Sequence, residues 1–315
     1  MNPSLSLETI RQTEGIKRLE KYVSDLIEHD KKLAVARLNE EDLRYPTLYV
    51  LTSMMREHGM TKHLSDRNKV AFAIQKDILA KERTPAAPFP YSICDLPQYI
   101  HSVLRWMVET GSEDKLNARY RLVIDRAAGL LTTIYQEPND IPLVSNLLFK
   151  RKEDGHSTHY LTWAYFSSRN FTSLLPIGEK LLSSHAHEVE FATELLHFVT
   201  GIDESTDRYA HFRYWYEENL PYLFQNDNNY EMTAELAPYA VDHFAKYNEK
   251  PAYFTSARNK ETGFHSLSED TKERLASLSY RLRKESREEW KEWIKRPLDA
   301  QVRLIEEVQH DYYRR

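Results

Sequence analysis

Two Glu-x-x-His pairs are the residues of this sequence best spaced to do chemistry: Glu194-Leu-Leu-His197 and Glu307-Val-Gln-His310. On a helix, this spacing puts a carboxylate and an imidazole on one face, and a di-iron centre inside a helical bundle uses two such pairs with two further inward glutamates. The neighbouring residues aim both pairs elsewhere. At about 100° per residue, Val189, Phe191, Ala192, Leu195, Leu196, Phe198 and Val199 fill one half of their helix, and His187, Glu190, Glu194 and His197 lie opposite. On the last helix Leu298, Val302, Leu304, Ile305 and Val308 face one way, whereas Arg303, Glu306, Glu307 and His310 face the other. Both motifs therefore read as solvated faces. The stripe His187, Glu190, Glu194, His197 is the weak candidate for a surface metal, and no metal or cofactor is expected. His156-x-x-His159 and His185-x-His187 are coincidences to be expected among 13 histidines.

Nucleophile and phosphate chemistry find less support. The single cysteine, Cys94, rules out an intrachain disulfide and a Cys-based zinc site. It lies in a proline-rich stretch with no recognisable His-Asn/Asp partners. Eight glycines in 315 residues is about a third of average usage. Accordingly there is no GxGxxG, no GxxxxGK[ST] and no GxSxG, and HExxH and DDxxD are absent as well.

Aromatic residues are the remaining candidates for recognition, since they combine large area with a polar tip. Tyr209, Phe212, Tyr216 and Leu220 share a helix face and read as core, whereas Tyr214 points away and Trp215 sits at the edge. Trp163, Tyr165, His211, Tyr214 and Trp215 are taken as the candidate binding residues. The segment 281–296 carries seven basic and four acidic residues, with Leu282, Trp290, Trp293 and Ile294 as its apolar side. Basic residues interleaved with aromatics can contact single strands. The interspersed acids, a net charge of −5 and a pI near 6.2 argue against nucleic acid as the partner.

The elements that would position these groups are helical. Apolar residues recur at helical spacing through most of the chain, predicting about 13 helices. They begin with one over 6–28 and one from Pro46 to Gly59, and they end with a long helix over 268–296, broken by Pro297. Pro85, Pro88 and Pro90 mark 85–94 as a linker between an N-terminal lobe (1–84) and a helical array (95–315). Asp95 and Gln98 have capping-box spacing at the start of the next helix. Tyr99 and Trp106 flank the Ile100–Leu104–Met107 stripe, so that helix should be covered on two faces. Short connectors favour antiparallel neighbours, and helix pairs spanning about 35–45 residues match HEAT-like or tetratricopeptide-like periods. Leu161, Tyr165, Phe171, Leu174 and Leu181 loosely resemble one tetratricopeptide unit, but the pattern does not recur one period on. The expectation is an all-α chain of stacked antiparallel helices, either a right-handed irregular α-solenoid or a layered bundle. If any glycine marks a close helix crossing, it is Gly129, the one inside a strong helical pattern.

No leader or membrane span is legible, so the expected setting is the cytoplasm. The absence of a catalytic constellation and the extended surface of a helical array point to a non-enzymatic protein-binding module, an adaptor, regulator or immunity-type inhibitor. The alternative is an all-helical enzyme or ligand-binding protein with a polar pocket between helices, lined by several of Trp163, Tyr165, Glu194, His197, His211 and Tyr214. A weaker alternative is nucleic-acid binding through 281–296.

Overall fold

The structure, a computed structural model, describes residues 5–81, 99–226, 237–249 and 263–312, with only the backbone at 81 and 307–312. Cys94, the 85–94 stretch and the Asp95 cap lie outside these residues, as do the side chains of Glu307 and His310. The described residues form 17 α-helices and one two-stranded sheet, so the chain is all-α. It divides into two compact units, 1–173 and 174–315.

The first unit contains α1 (Leu7–Glu14), α2 (Ile16–His29), α3 (Lys31–Leu38), α4 (Tyr45–Val50), α5 (Thr52–Glu57), α6 (Asp66–Lys81), α7 (Ile100–Gly111), α8 (Ala118–Leu130), α9 (Ile141–Glu153) and α10 (His159–Phe166). The expected helix over 6–28 is two helices, because Gly15 takes φ +87° and turns the chain between them. Pro46 occupies the first turn of α4, as its fixed φ favours.

Helices on both sides of the proline stretch belong to this one unit: α7 packs on α4, α6 and α8, and α8 packs on α10. The expected second covered face of α7 is realised at Trp106 but not at Tyr99, which is exposed. On α7, Ile100, Val103, Leu104, Met107 and Val108 are buried. On its flank, Trp106 meets Tyr45 edge-on at 5.9 Å and lies beneath the Arg67 guanidinium at 4.5 Å. Gly129 does mark a close crossing, since a Cβ there would come within 2.1 Å of the Tyr160 hydroxyl of α10. Asp140, fully buried before α9, accepts from His101 Nε2 and from Arg105 Nη1, both at 2.7 Å, and so ties α7 to the start of α9.

The second unit contains α11 (Leu174–Glu179), α12 (Ala186–Leu195), α13 (Arg208–Asn219), β1 (Leu223–Gln225), β2 (Tyr239–Val241), α14 (His243–Tyr247), α15 (Glu269–Glu285), α16 (Arg287–Ile294) and α17 (Leu298–Tyr312). The strands pair antiparallel, with Phe224 opposite Ala240. Sequence periodicity predicts helix over 231–248: 231–236 lie outside the described residues, 243–247 are helical as expected, and between them Pro238, which cannot donate to a helix, leads directly into β2. The expected single helix over 268–296 breaks at Ser286, which adopts φ −152° and caps α16 through its side chain. The break lets Trp290 Nε1 donate to Ser279 Oγ (2.9 Å) and seats Trp293 in a core with Tyr247, Phe264, Leu275 and Ala276. Beside it, Lys246 is fully buried and donates to Glu218 (2.5 Å), Asn219 (2.8 Å) and Ser277 (3.1 Å).

Candidate functional site

The residues singled out in the sequence fall in both units. In the first unit, Tyr165 is fully buried and donates to the Ser173 carbonyl at 2.6 Å, while Trp163 is half-buried and tilts against Tyr160. Tyr165 is thus a core residue. In the second unit, His211 Nε2 bonds the Thr200 carbonyl at 2.7 Å, and Trp215, expected at an edge, is buried against Phe198. Tyr214 is 61% exposed. His187, Glu190, Glu194 and His197 are exposed, as their opposition to the apolar face predicts. His197 Nδ1 bonds the Glu194 carbonyl at 3.0 Å. Among the described residues, no three His, Cys, Asp or Glu side chains are placed to hold a metal ion. In 281–296, Arg283 donates to the Lys246 carbonyl and to Tyr222, Arg287 pairs with Glu249, and Lys295 pairs with Glu292, so much of the basic character is used internally.

Charge is concentrated instead in the first unit, around the turn between α7 and α8. Two elements hold the base of this turn. Asn117 caps α8 by accepting from Tyr120 N at 2.9 Å, which is the usual role of asparagine before a helix. Asp114 receives both terminal nitrogens of Arg11 from α1, at 3.2 and 2.5 Å. Arg11 also donates to Thr47 (3.1 Å) and to Glu8 (2.6 Å), and Thr47 donates to Glu8. Burial opposes ionisation of Glu8, but the bonds from Arg11 and Thr47 overcome it and hold its carboxyl below the usual range. Burial likewise opposes the charge on Arg11, and Glu8 and Asp114 outweigh it. This network is complete: every guanidinium nitrogen of Arg11 has a partner.

Above it opens a cleft of about 370 Å³, lined by Asp114, Lys115, Asn117, Arg121, Arg151, Asp154 and His156 among others. Lys115 is committed to Asp154 at 2.6 Å, a bond that holds the Asp154 carboxyl below its ordinary range. Arg151, near the end of α9, donates through Nε to Asp125 of α8 at 2.8 Å. Its side chain is only 4% exposed, and its Nη2 is buried with no hydrogen-bond partner. Burial raises the Asp125 pKa despite the attraction of Arg151, so the counter-charge is itself weakened. Arg121, one turn into α8, donates to His156 Nε2 at 3.1 Å. In that contact His156 Nε2 is the acceptor, and among the described residues Arg121 has no carboxylate within ion-pair distance. The cleft therefore holds two guanidinium groups with donors to spare: Arg151, buried and paired with Asp125 through Nε alone, and Arg121 at the mouth. Planar guanidinium pairs of this kind suit carboxylate and phosphate oxygens.

Sequence reading missed this site. Lys150-Arg151-Lys152 looks like a solvated basic end of a helix, and Asp125 lies four residues after Arg121, suggesting that pair. The structure pairs Asp125 with Arg151 instead. Comparison with known protein families, with curated proteins and with solved structures finds no match to this chain.

Proposed function

We propose that this chain is a non-enzymatic protein-binding module, built as a stacked helical array, that receives an acidic group of its partner in the cleft beside α8. The observation that carries the reading is Arg151. A buried donor without a partner costs about 1–3 kcal/mol, and here it belongs to a cation whose one carboxylate partner has a raised pKa. An incoming carboxylate or phosphate meets Arg121 at the mouth and adds negative charge beside Arg151, whose Nη2 gains a partner when that side chain shifts towards the cleft. A second reading, a free small anion, is favoured by the cleft volume, which lies in the range of about 300–1,000 Å³ typical of small-molecule sites.

The test is calorimetric titration of the full chain with inorganic phosphate and with sulfate, repeated on Arg121→Ala. Saturable binding that weakens about tenfold in the variant supports the site; no binding, or binding indifferent to Arg121, sinks it. Capture of one partner by the wild-type chain and its loss with Arg121→Ala favours the module. Phosphate binding to both a partner-loaded and a partner-free chain with equal affinity favours the free anion.

A further inference from the structure

We infer that a second anion subsite, formed by Arg56, Lys76 and Arg119, lies on the other side of the first turn of α8, so that the ligand presents two anionic groups. The inference rests on the reading above, since the first cleft supplies one of the two anchors.

A separate cleft of about 250 Å³ is lined by Arg56 of α5, by Lys76 with Gln75 and Phe72 of α6, and by Arg119 of α8. Its floor is fixed. Gln75 is buried, exchanges hydrogen bonds with Thr52, and accepts from the Tyr45 hydroxyl at 3.2 Å. The Arg56 guanidinium stands over the Phe72 ring at 5.6 Å, a contact that orients it while leaving its N–H edge available. Among the described residues no carboxylate lines this cleft, and none of the three cations has an ion pair. In the first cleft, by contrast, Arg151 and Lys115 each hold a carboxylate. Three like charges facing one concavity repel one another, and nothing in the described structure relieves them; an anion does.

Position joins the two clefts. Asn117 and Arg121 line the first and Arg119 lines the second, all within the cap and opening turn of α8. The Tyr49 hydroxyl, which donates to Asn117 Oδ1 at 3.4 Å, stands at this boundary, and Thr52, three residues on, lines the second cleft. The positive end of the α8 dipole favours negative charge on either side. One ligand carrying two phosphate-type groups therefore meets Arg121 and Arg151 with one and Arg56, Lys76 and Arg119 with the other.

Competition between inorganic tripolyphosphate and orthophosphate tests this. In the wild-type chain tripolyphosphate binds at least about tenfold more tightly than orthophosphate. Arg119→Ala and Lys76→Ala, both exposed positions, remove most of that excess and leave orthophosphate binding within about twofold. Lys32→Ala, an exposed cation elsewhere in the same unit, reports the effect of bulk charge alone and leaves the excess intact. If Arg119→Ala and Lys76→Ala leave the excess unchanged, or if Lys32→Ala reduces it equally, the second subsite is overturned while the first cleft stands. Loss of orthophosphate binding in Arg119→Ala also overturns it, because the two clefts would then be one. Indifference of orthophosphate to Arg121→Ala removes the first anchor, and with it the two-group ligand.

Discussion

Replacing Asp125 with Asn removes the internal competitor for Arg151 and should make the folded chain more receptive to anions with little loss of stability. The two side chains are 16% and 4% exposed and joined by one bond of 2.8 Å. Breaking a fully buried pair by deleting one partner costs about 3–5 kcal/mol, but Asn keeps an acceptor at the same place. The loss is closer to the difference between a charge-assisted and a neutral hydrogen bond, about 1–2 kcal/mol. The Asp125 pKa is raised by burial even with the attraction of Arg151, so folding already favours the uncharged form and offsets this loss, leaving a net change of about 1 kcal/mol or less. For a unit of this size the melting temperature falls by about 2–4 °C per kcal/mol.

The binding effect has the opposite sign. At an effective dielectric constant near 20, removing a negative charge about 8 Å from a singly charged anion changes the interaction by about 2 kcal/mol, roughly thirtyfold in affinity, and by more for a dianion. Calorimetry with sulfate, which stays dianionic across the working pH range, reads this directly. Asp125 also supplies a pH test. Its folded pKa lies above its ordinary 3.8, so protonation of the wild-type chain through that window mimics Asp125→Asn, and sulfate affinity rises as pH falls. The variant shows no such rise. Unchanged or weaker sulfate binding in a folded Asp125→Asn chain refutes the assignment of Arg151 as the anion's partner.

Three further outcomes follow from the packing. Gly178→Ala gains about 1 kcal/mol of helix propensity, but its Cβ meets Cε1 of fully buried Phe212 at 2.0 Å. With overpacking costing about 1–3 kcal/mol, the net is destabilising by up to about 2 kcal/mol, and denaturation of the pair with Phe212→Leu should show the penalty shrinking in that background. Glu8 has a folded pKa below 4.5, so its contribution is complete above that value and is lost as pH falls through the folded pKa; Glu8→Gln flattens this part of the acid-denaturation curve, and an unchanged curve contradicts the network. Lys246→Met strands buried Glu218 and costs about 3–5 kcal/mol, whereas Lys246→Met with Glu218→Leu recovers most of it by urea denaturation; a double variant as unstable as the single one contradicts the pairing.

What could be read in advance and what could not separate along a physical line. Periodicity reports which face of a helix is apolar, and so the outward stripe of α12, the covered Trp106 flank of α7 and the crossing at Gly129 were all legible. Interruptions that keep both sides helical were not. Gly15 and Ser286 sit within apolar patterns that continue past them, and the break at Ser286 accompanies the fold-back of Trp290 onto Ser279, a contact 11 residues away. The charged cleft was hidden for the same reason. Within their own helices, Arg121 and Asp125 look like a surface pair and Arg151 like a helix-end cation. Only when the last turn of α9 lies against α8 does Asp125 turn to Arg151, leaving Arg121 with the His156 ring and Arg151 with an unmatched donor. A site made of charges that each have a plausible local partner leaves no trace in spacing; its signature is a partner exchange between helices. That is why the Glu-x-x-His pairs, conspicuous in sequence, point outward, while the residues assigned to anion recognition come from an unremarked basic run and a helix cap.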